Sequence, residues 1–261
     1  MGKTMARTTY CLSEEEFYMC CTAFDIRDML CFAKDEERAY TDAGFAEALF
    51  ALAERKLVIP GEDSLSLCPE LQIAFAAIQQ AKGVWLGYQK GENMPSQMLY
   101  RQSDTYIALM RGTQARDYVR LTVYREADLG EWLESAGFGL RREIPEEMRA
   151  QLLLEKEETA EERGFDCLAD LEGTAAEPIC LLPEGHLPEG LEGVLEYRSG
   201  ADWAVEVRLL FVRQPVFDRV VICRKDVCES DLYSTERVLE EIRTAGSWKR
   251  PGKLLEGAVL V

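Results

Sequence analysis

A single histidine, His186, is all the sequence offers as a base that titrates near neutral pH, and it lies in the loop-like stretch "PEGHLPEG". Any Ser-His-Asp or Cys-His mechanism therefore stands or falls on that one residue. No Gly-x-Ser-x-Gly occurs, and the "MGKT" at the start lacks the strand and glycine-rich loop that a phosphate-binding turn needs. Paired metal-ligand spacing is missing too: the nine cysteines include no C-x-x-C, and their odd number suits neither a zinc site nor a disulfide framework. They are read as structural thiols, behaving as small hydrophobes. No catalytic residue, cofactor or metal is expected, and the protein is read as a non-enzyme.

Positive charge is also scarce. Lys and Arg number 30 against 47 Asp and Glu, a net charge of −17. Such a surface repels phosphate backbones and anionic headgroups, so neither nucleic acid nor a membrane surface is an expected partner. No apolar run reaches the roughly 20 residues of a membrane span, and "MGKTMARTTYCLSEEEF" has no apolar stretch of the signal-peptide kind. The expectation is a cytoplasmic protein.

What is present is a folded composition, 47% hydrophobic and 30% charged, long enough to bury a sizeable core. "LSEEEFYMCCTAFDIRDMLCFA" opens with a capping box in which Ser13 caps and Glu16 reaches back, and Phe17, Cys20, Cys21, Phe24, Met29 and Leu30 make a buried stripe. A second helix runs from about Asp42 to Arg55 with Phe45, Leu49, Leu52 and Ala53 on one face. A short strand, a Pro60-Gly61 turn, another short strand and a helix opening on Pro69 follow. That order resembles a winged helix, but "PELQIAFAAIQQAKG" has one Lys against one Glu and reads as a packing module.

Val84–Tyr88, Gln97–Arg101, Thr105–Gly112 and Tyr118–Arg125 read as strands, the third apolar on both faces and hence central. "DYVRLTVYREADLGEWLESAG" then recurs in pattern a hundred residues later as "FDRVVICRKDVCESDLYSTERVLEEIRTAG". Strands near Val194 to Cys223 and a helix Leu232–Thr244 repeat the first set, giving a β-β-β-α unit used twice. Between the units, residues 141–177 carry 5 basic and 12 acidic side chains and read as an acidic helical connector. The expected fold is α+β: two pseudo-repeated β-meander-plus-helix units with an N-terminal helical and small β-hairpin region. A single quasi-twofold domain would span 1–261, with sub-units 1–140, 141–177 and 178–261. An open sheet edge in either meander would permit a homodimer.

"FAEALFALAERKLVIPGEDSLSLCPELQIAFAAIQQAKG", with the paired meanders after it, resembles the EspG-type chaperones of type VII secretion systems. In that family a Leu-rich helix leads to a buried Leu-x-x-x-Gly turn and a Val-Asp-Pro-like helix start. Leu57-Val58-Ile59-Pro60-Gly61 and Leu67-Cys68-Pro69-Glu70 occupy those places here. The resemblance implies a cytosolic, non-enzymatic chaperone that binds the tip of a secreted helical hairpin and keeps it soluble for export.

Aromatic residues around "LLFVRQPVFD" have two readings. Core packing is the ordinary one; a hairpin presenting an apolar groove to a partner is the other, and its candidate residues are Trp203, Phe211, Val212, Pro215, Val216 and Phe217. Two further function classes stay open beside the chaperone: an acidic immunity or antitoxin-like protein using the 141–177 segment against a basic partner, and a hydrolase with carboxylates in an interdomain cleft.

Overall fold

The computed structural model describes residues 8–26, 42–61, 65–92, 94–111, 118–139, 188–214, 218–224 and 227–246. Five helices and eleven strands fall within them: β1 (Thr9–Ser13), α1 (Glu14–Ala23), α2 (Asp42–Glu54), β2 (Val58–Pro60), β3 (Leu65–Leu67), α3 (Pro69–Gln80) and β4 (Gly83–Gln89) come first. Then follow β5 (Gln97–Gln102), β6 (Thr105–Arg111), β7 (Tyr118–Arg125), α4 (Leu129–Ser135), β8 (Leu191–Ser199), β9 (Ala204–Val212), β10 (Arg219–Arg224), β11 (Val227–Leu232) and α5 (Thr235–Thr244). The expected α+β class holds. Nine strands form one antiparallel sheet in the order β1-β7-β6-β5-β4-β8-β9-β10-β11, and β2 and β3 form the small hairpin.

The two units meet at β4 and β8, which pair from Gly83↔Ser199 to Gln89↔Gly193. Both strands carry Gly-Val, at 83–84 and at 193–194, and each glycine lies under an aromatic ring supplied by the opposite unit. A Cβ on Gly193 would sit 2.7 Å from Cε1 of Phe138, and one on Gly83 would overlap the Tyr197 ring. The missing side chains are what allow the rings to close over the centre of the sheet.

The second unit has four strands, β8–β11, one more than the three its sequence pattern suggests, while the first has the four read from its sequence with β1 added beside β7. The extra strand in the second unit is β11, "VCESDL", whose Glu229 and Asp231 break the apolar alternation; consequently α5 starts at Thr235 rather than Leu232. Ser234 caps α5 by accepting a hydrogen bond from the Arg237 N–H at 3.4 Å. An acidic, short outermost strand discourages sheet-to-sheet pairing.

Both sheet faces are covered. Phe17 and Cys20 of α1 and Leu71, Phe75 and Ile78 of α3 share one core with Val84, Leu86, Ile107 and Leu109. Trp132 and Leu133 of α4 and Val238 and Ile242 of α5 share the other with Trp85, Leu99, Tyr106 and Leu209. β6 contributes alternately to the two, which is why its sequence is apolar on both faces.

Ser13 caps α1 as its sequence indicates: its Oγ accepts from the Glu16 N–H at 3.2 Å and its own N–H donates to Glu16 Oε2 at 2.7 Å. Glu16 also meets Arg55 Nη2 at 2.6 Å, so the capping carboxylate ties the start of α1 to the end of α2. Arg55 Nη1 donates in turn to the Cys11 carbonyl of edge strand β1 at 2.6 Å. The helix ends earlier than its apolar stripe implies, because the chain turns at Asp25 with φ of 52°. Met29 and Leu30 lie outside the described residues. Replacing Ser13 by Ala is expected to destabilise the fold by about 1 kcal/mol, with Ser13→Thr nearly neutral, as read from urea midpoints; equal losses for both would refute the cap's role.

Candidate functional site

Of the three sequence candidates within the described residues, two are buried and one is half-buried. Phe211 is buried against Phe138 and Tyr233, with ring centroids 4.8 and 5.9 Å away. Val212, its neighbour on β9, is buried in the opposite core, and Trp203 is half-buried in the β8–β9 turn with φ of 50°. Successive residues of a strand covered on both faces point into different cores, so the structure does not bring these three to one surface. Pro215, Val216 and Phe217 lie outside the described residues, as do His186 and the acidic segment 141–177.

Two carboxylates, Glu192 and Asp218, line a small cleft between the C-terminal end of α4 and strands β8 to β10, together with Gln89, Phe138, Arg213 and Tyr233 among others. Its volume is about 50 Å³, room for water and not for a substrate. Glu192 there is already engaged by Arg213 at 3.2 Å and Lys90 at 3.5 Å. Among the described residues there is no group of three or more His, Cys, Asp or Glu side chains able to hold a metal ion. Nor, among them, is any helix long and apolar enough to cross a membrane.

Exposed apolar surface gathers instead on the N-terminal module. Phe50 of α2 is 72% exposed, Leu65 of the hairpin 56% and Ile73 of α3 60%, and Ile59 on β2 is exposed as well. Of these, Leu65 lines an apolar cavity of about 250 Å³, bounded by Met19, Cys20, Ala23 and Phe24 of the α1 end, Leu49 of α2, and Val58, Leu65 and Leu67 of the hairpin, with Ser66 and Gln72 as its polar members. Leu65 is opposite Pro60 and two residues from Leu67 and so shares a hairpin face with the buried Val58; it stands at the cavity mouth. Burial pushes the Cys20 thiol up to about 12, with Glu16 and Cys68 adding to the effect, so this wall of the cavity carries no charge at neutral pH. Charges stand on the same module outside the cavity: Glu47, Glu54 and Glu70 are exposed, against Lys56 and the Glu16-paired Arg55.

Sequence reasoning missed this site, although a signal exists. Helix α2 is apolar around most of its circumference, since Phe50 adds to a stripe already made by Phe45, Leu49 and Leu52. A helix apolar all round is either enclosed or offers a face to something else.

No family model matches the chain, and no curated protein matches it. Among solved structures, the chain is similar to one in a structure of the Mycobacterium tuberculosis type VII secretion system chaperone EspG5 in complex with a PE25–PPE41 dimer, at 14% identity and a TM-score of 0.47. The match covers 91% of this chain and 95% of that one.

Proposed function

We propose that the protein is a binding protein of the secretion-chaperone kind, which takes an apolar stretch of a helical-hairpin substrate of type VII secretion and keeps it soluble before export. The apolar cavity at the α1–α2–hairpin junction, lined by exposed Leu65 and by Leu49 and Gln72, whose chain neighbours Phe50 and Ile73 are exposed, carries this reading. At about 250 Å³ the cavity falls below the roughly 300–1,000 Å³ usual for small-molecule sites, and among the described residues no charged group lines it to orient a metabolite. It suits one or two apolar side chains presented by a partner helix, the arrangement in which a few buried anchors dominate affinity. Exposed Glu47, Glu54 and Glu70 favour basic residues flanking those anchors. The element order that resembles the EspG-type chaperones supports the export role, and a binding role asks for no catalytic residue.

The test is Leu65→Glu in the full chain, used as bait beside the wild type in lysate of the source cell, with intact-mass measurement of what each retains at high salt. The wild type is expected to hold a helical secreted protein at 1:1 stoichiometry. Leu65→Glu should weaken that complex by about 2 kcal/mol, roughly thirtyfold. Equal retention by both chains would remove the cavity from the interface. A wild-type dimer that Leu65→Glu converts to monomer would assign the cavity to a second copy and overturn the proposal.

A further inference from the structure

We infer that Cys223 and Cys228 are a cross-strand oxidation site: a dithiol that hydrogen peroxide converts to a disulfide stapling β11 to β10. The two residues are direct partners in the β10–β11 register. Their side chains share a sheet face, Cys223 buried within the core that Cys228 packs against. They are thiols in this structure.

The hydrogen-bond parity of the ladder makes this position suitable for closure. Tyr233 N–H donates to the carbonyl of Asp218 at 3.0 Å, and those two residues continue the same register one step beyond Arg219↔Leu232. Asp218/Tyr233 is therefore a hydrogen-bonded pair, and alternation along an antiparallel ladder makes Cys223/Cys228, five steps on, a non-hydrogen-bonded one. In such pairs the Cα atoms stand about 4.5 Å apart, inside the roughly 4.4–6.8 Å span that a disulfide tolerates. The Cβ atoms must close from about 5 Å to about 4 Å. Among the described residues strand β11 is the outermost of the sheet and is paired on one side only, so it can twist to do so.

The chemistry balances with one peroxide per chain. The thiolate of Cys228, the less buried of the two, attacks a peroxide oxygen; the O–O bond breaks, Cys228 becomes a sulfenic acid and hydroxide leaves. The Cys223 thiolate then attacks the Cys228 sulfur, forming the S–S bond and expelling hydroxide, which the two thiol protons turn to water. Two thiols and one hydrogen peroxide give one disulfide and two waters. Cys20 and Cys21 are poorer competitors: both are buried in α1, where burial first of all pushes their thiols well above the usual range.

Arg224 and Lys225 lie between the two cysteines, so trypsin cuts there and leaves Val220–Arg224 and Asp226–Arg237 as separate peptides unless a disulfide joins them. The experiment treats the purified full-length protein with hydrogen peroxide, blocks remaining thiols and maps the digest before and after reduction. The joined pair is expected to exceed any other cysteine linkage by at least roughly tenfold. It should separate on reduction, be absent from Cys228→Ser, and be accompanied by slower amide hydrogen exchange in β11. Cys228 recovered as sulfonic acid with Cys223 still alkylatable, or either cysteine linked mainly to a third, would overturn the proposal. The wild-type map decides even where the serine variant folds poorly.

Discussion

Replacing Glu196 by Gln is expected to destabilise the protein by about 3–5 kcal/mol, the scale observed when one member of a buried ion cluster is removed. Glu196 and Arg208 are cross-strand partners on β8 and β9, and both side chains are 0% exposed. Arg208 donates to Oε1 through Nε at 3.0 Å and Nη2 at 2.9 Å; Arg198 donates to Oε2 through Nε at 3.2 Å and Nη2 at 2.7 Å. One carboxylate thus serves two guanidinium groups. In the Glu196→Gln variant a neutral amide would replace it, and the amide NH2 would point at one guanidinium as donor against donor, while Arg208 keeps its charge away from water. Domains are held together by only about 5–15 kcal/mol, so the variant should unfold at a much lower urea concentration with little change in slope. Glu192→Gln on the same strand is the control. Its partners Lys90 and Arg213 are solvent-facing and its loss should change stability by less than about 1 kcal/mol. Equal midpoints for the two variants would show that the buried cluster contributes no more than a surface pair.

The same cluster shows where sequence reading ends. In "GVLEYRSG" and "WAVEVRLLFVRQ", Glu196 and Arg208 occupy positions that alternation assigns to a polar face. They are buried because the register sets them opposite each other, and register is a long-range property that neither strand announces alone. Local signals fared better. The Ser13–Glu16 box, the Pro69 helix start, the Pro60–Gly61 hairpin and the two-sided apolarity of β6 each follow from neighbouring residues, and each is present. Strands β1 and β11 escaped because both are short and polar, as outermost strands tend to be: one runs straight into the Ser13 cap, and the other carries two acids. The apolar cavity escaped for a third reason. Its walls come from α1, α2, the hairpin and α3, and each apolar wall residue alone reads as ordinary core.

Trp132→Ala is the second large loss, at about 3–5 kcal/mol, and it probes whether the two units unfold as one. Trp132 of α4 is buried among Trp85, Leu129, Leu133 and Phe138, and truncation leaves a void that packed neighbours fill only in part. Its indole N–H has no hydrogen-bond partner among the described residues, so Trp132→Phe gives up area without orphaning an acceptor and should lose well under half as much. The void lies in the first unit, yet its neighbourhood belongs to both. Tyr233 donates its hydroxyl to the Phe138 carbonyl at 2.5 Å, Arg243 of α5 meets Glu126 at 3.3 Å, and β4 is hydrogen-bonded to β8. Loosening α4 therefore loosens contacts made by the second unit. Urea unfolding of Trp132→Ala should remain a single transition, coincident by far-UV circular dichroism and tryptophan fluorescence. Because Trp132 and Glu196 lie on opposite sheet faces, their losses should add to within about 0.5 kcal/mol. Two separated transitions would mean that the shared sheet does not couple its halves, and the nine-stranded sheet would then be two folding units joined edge to edge.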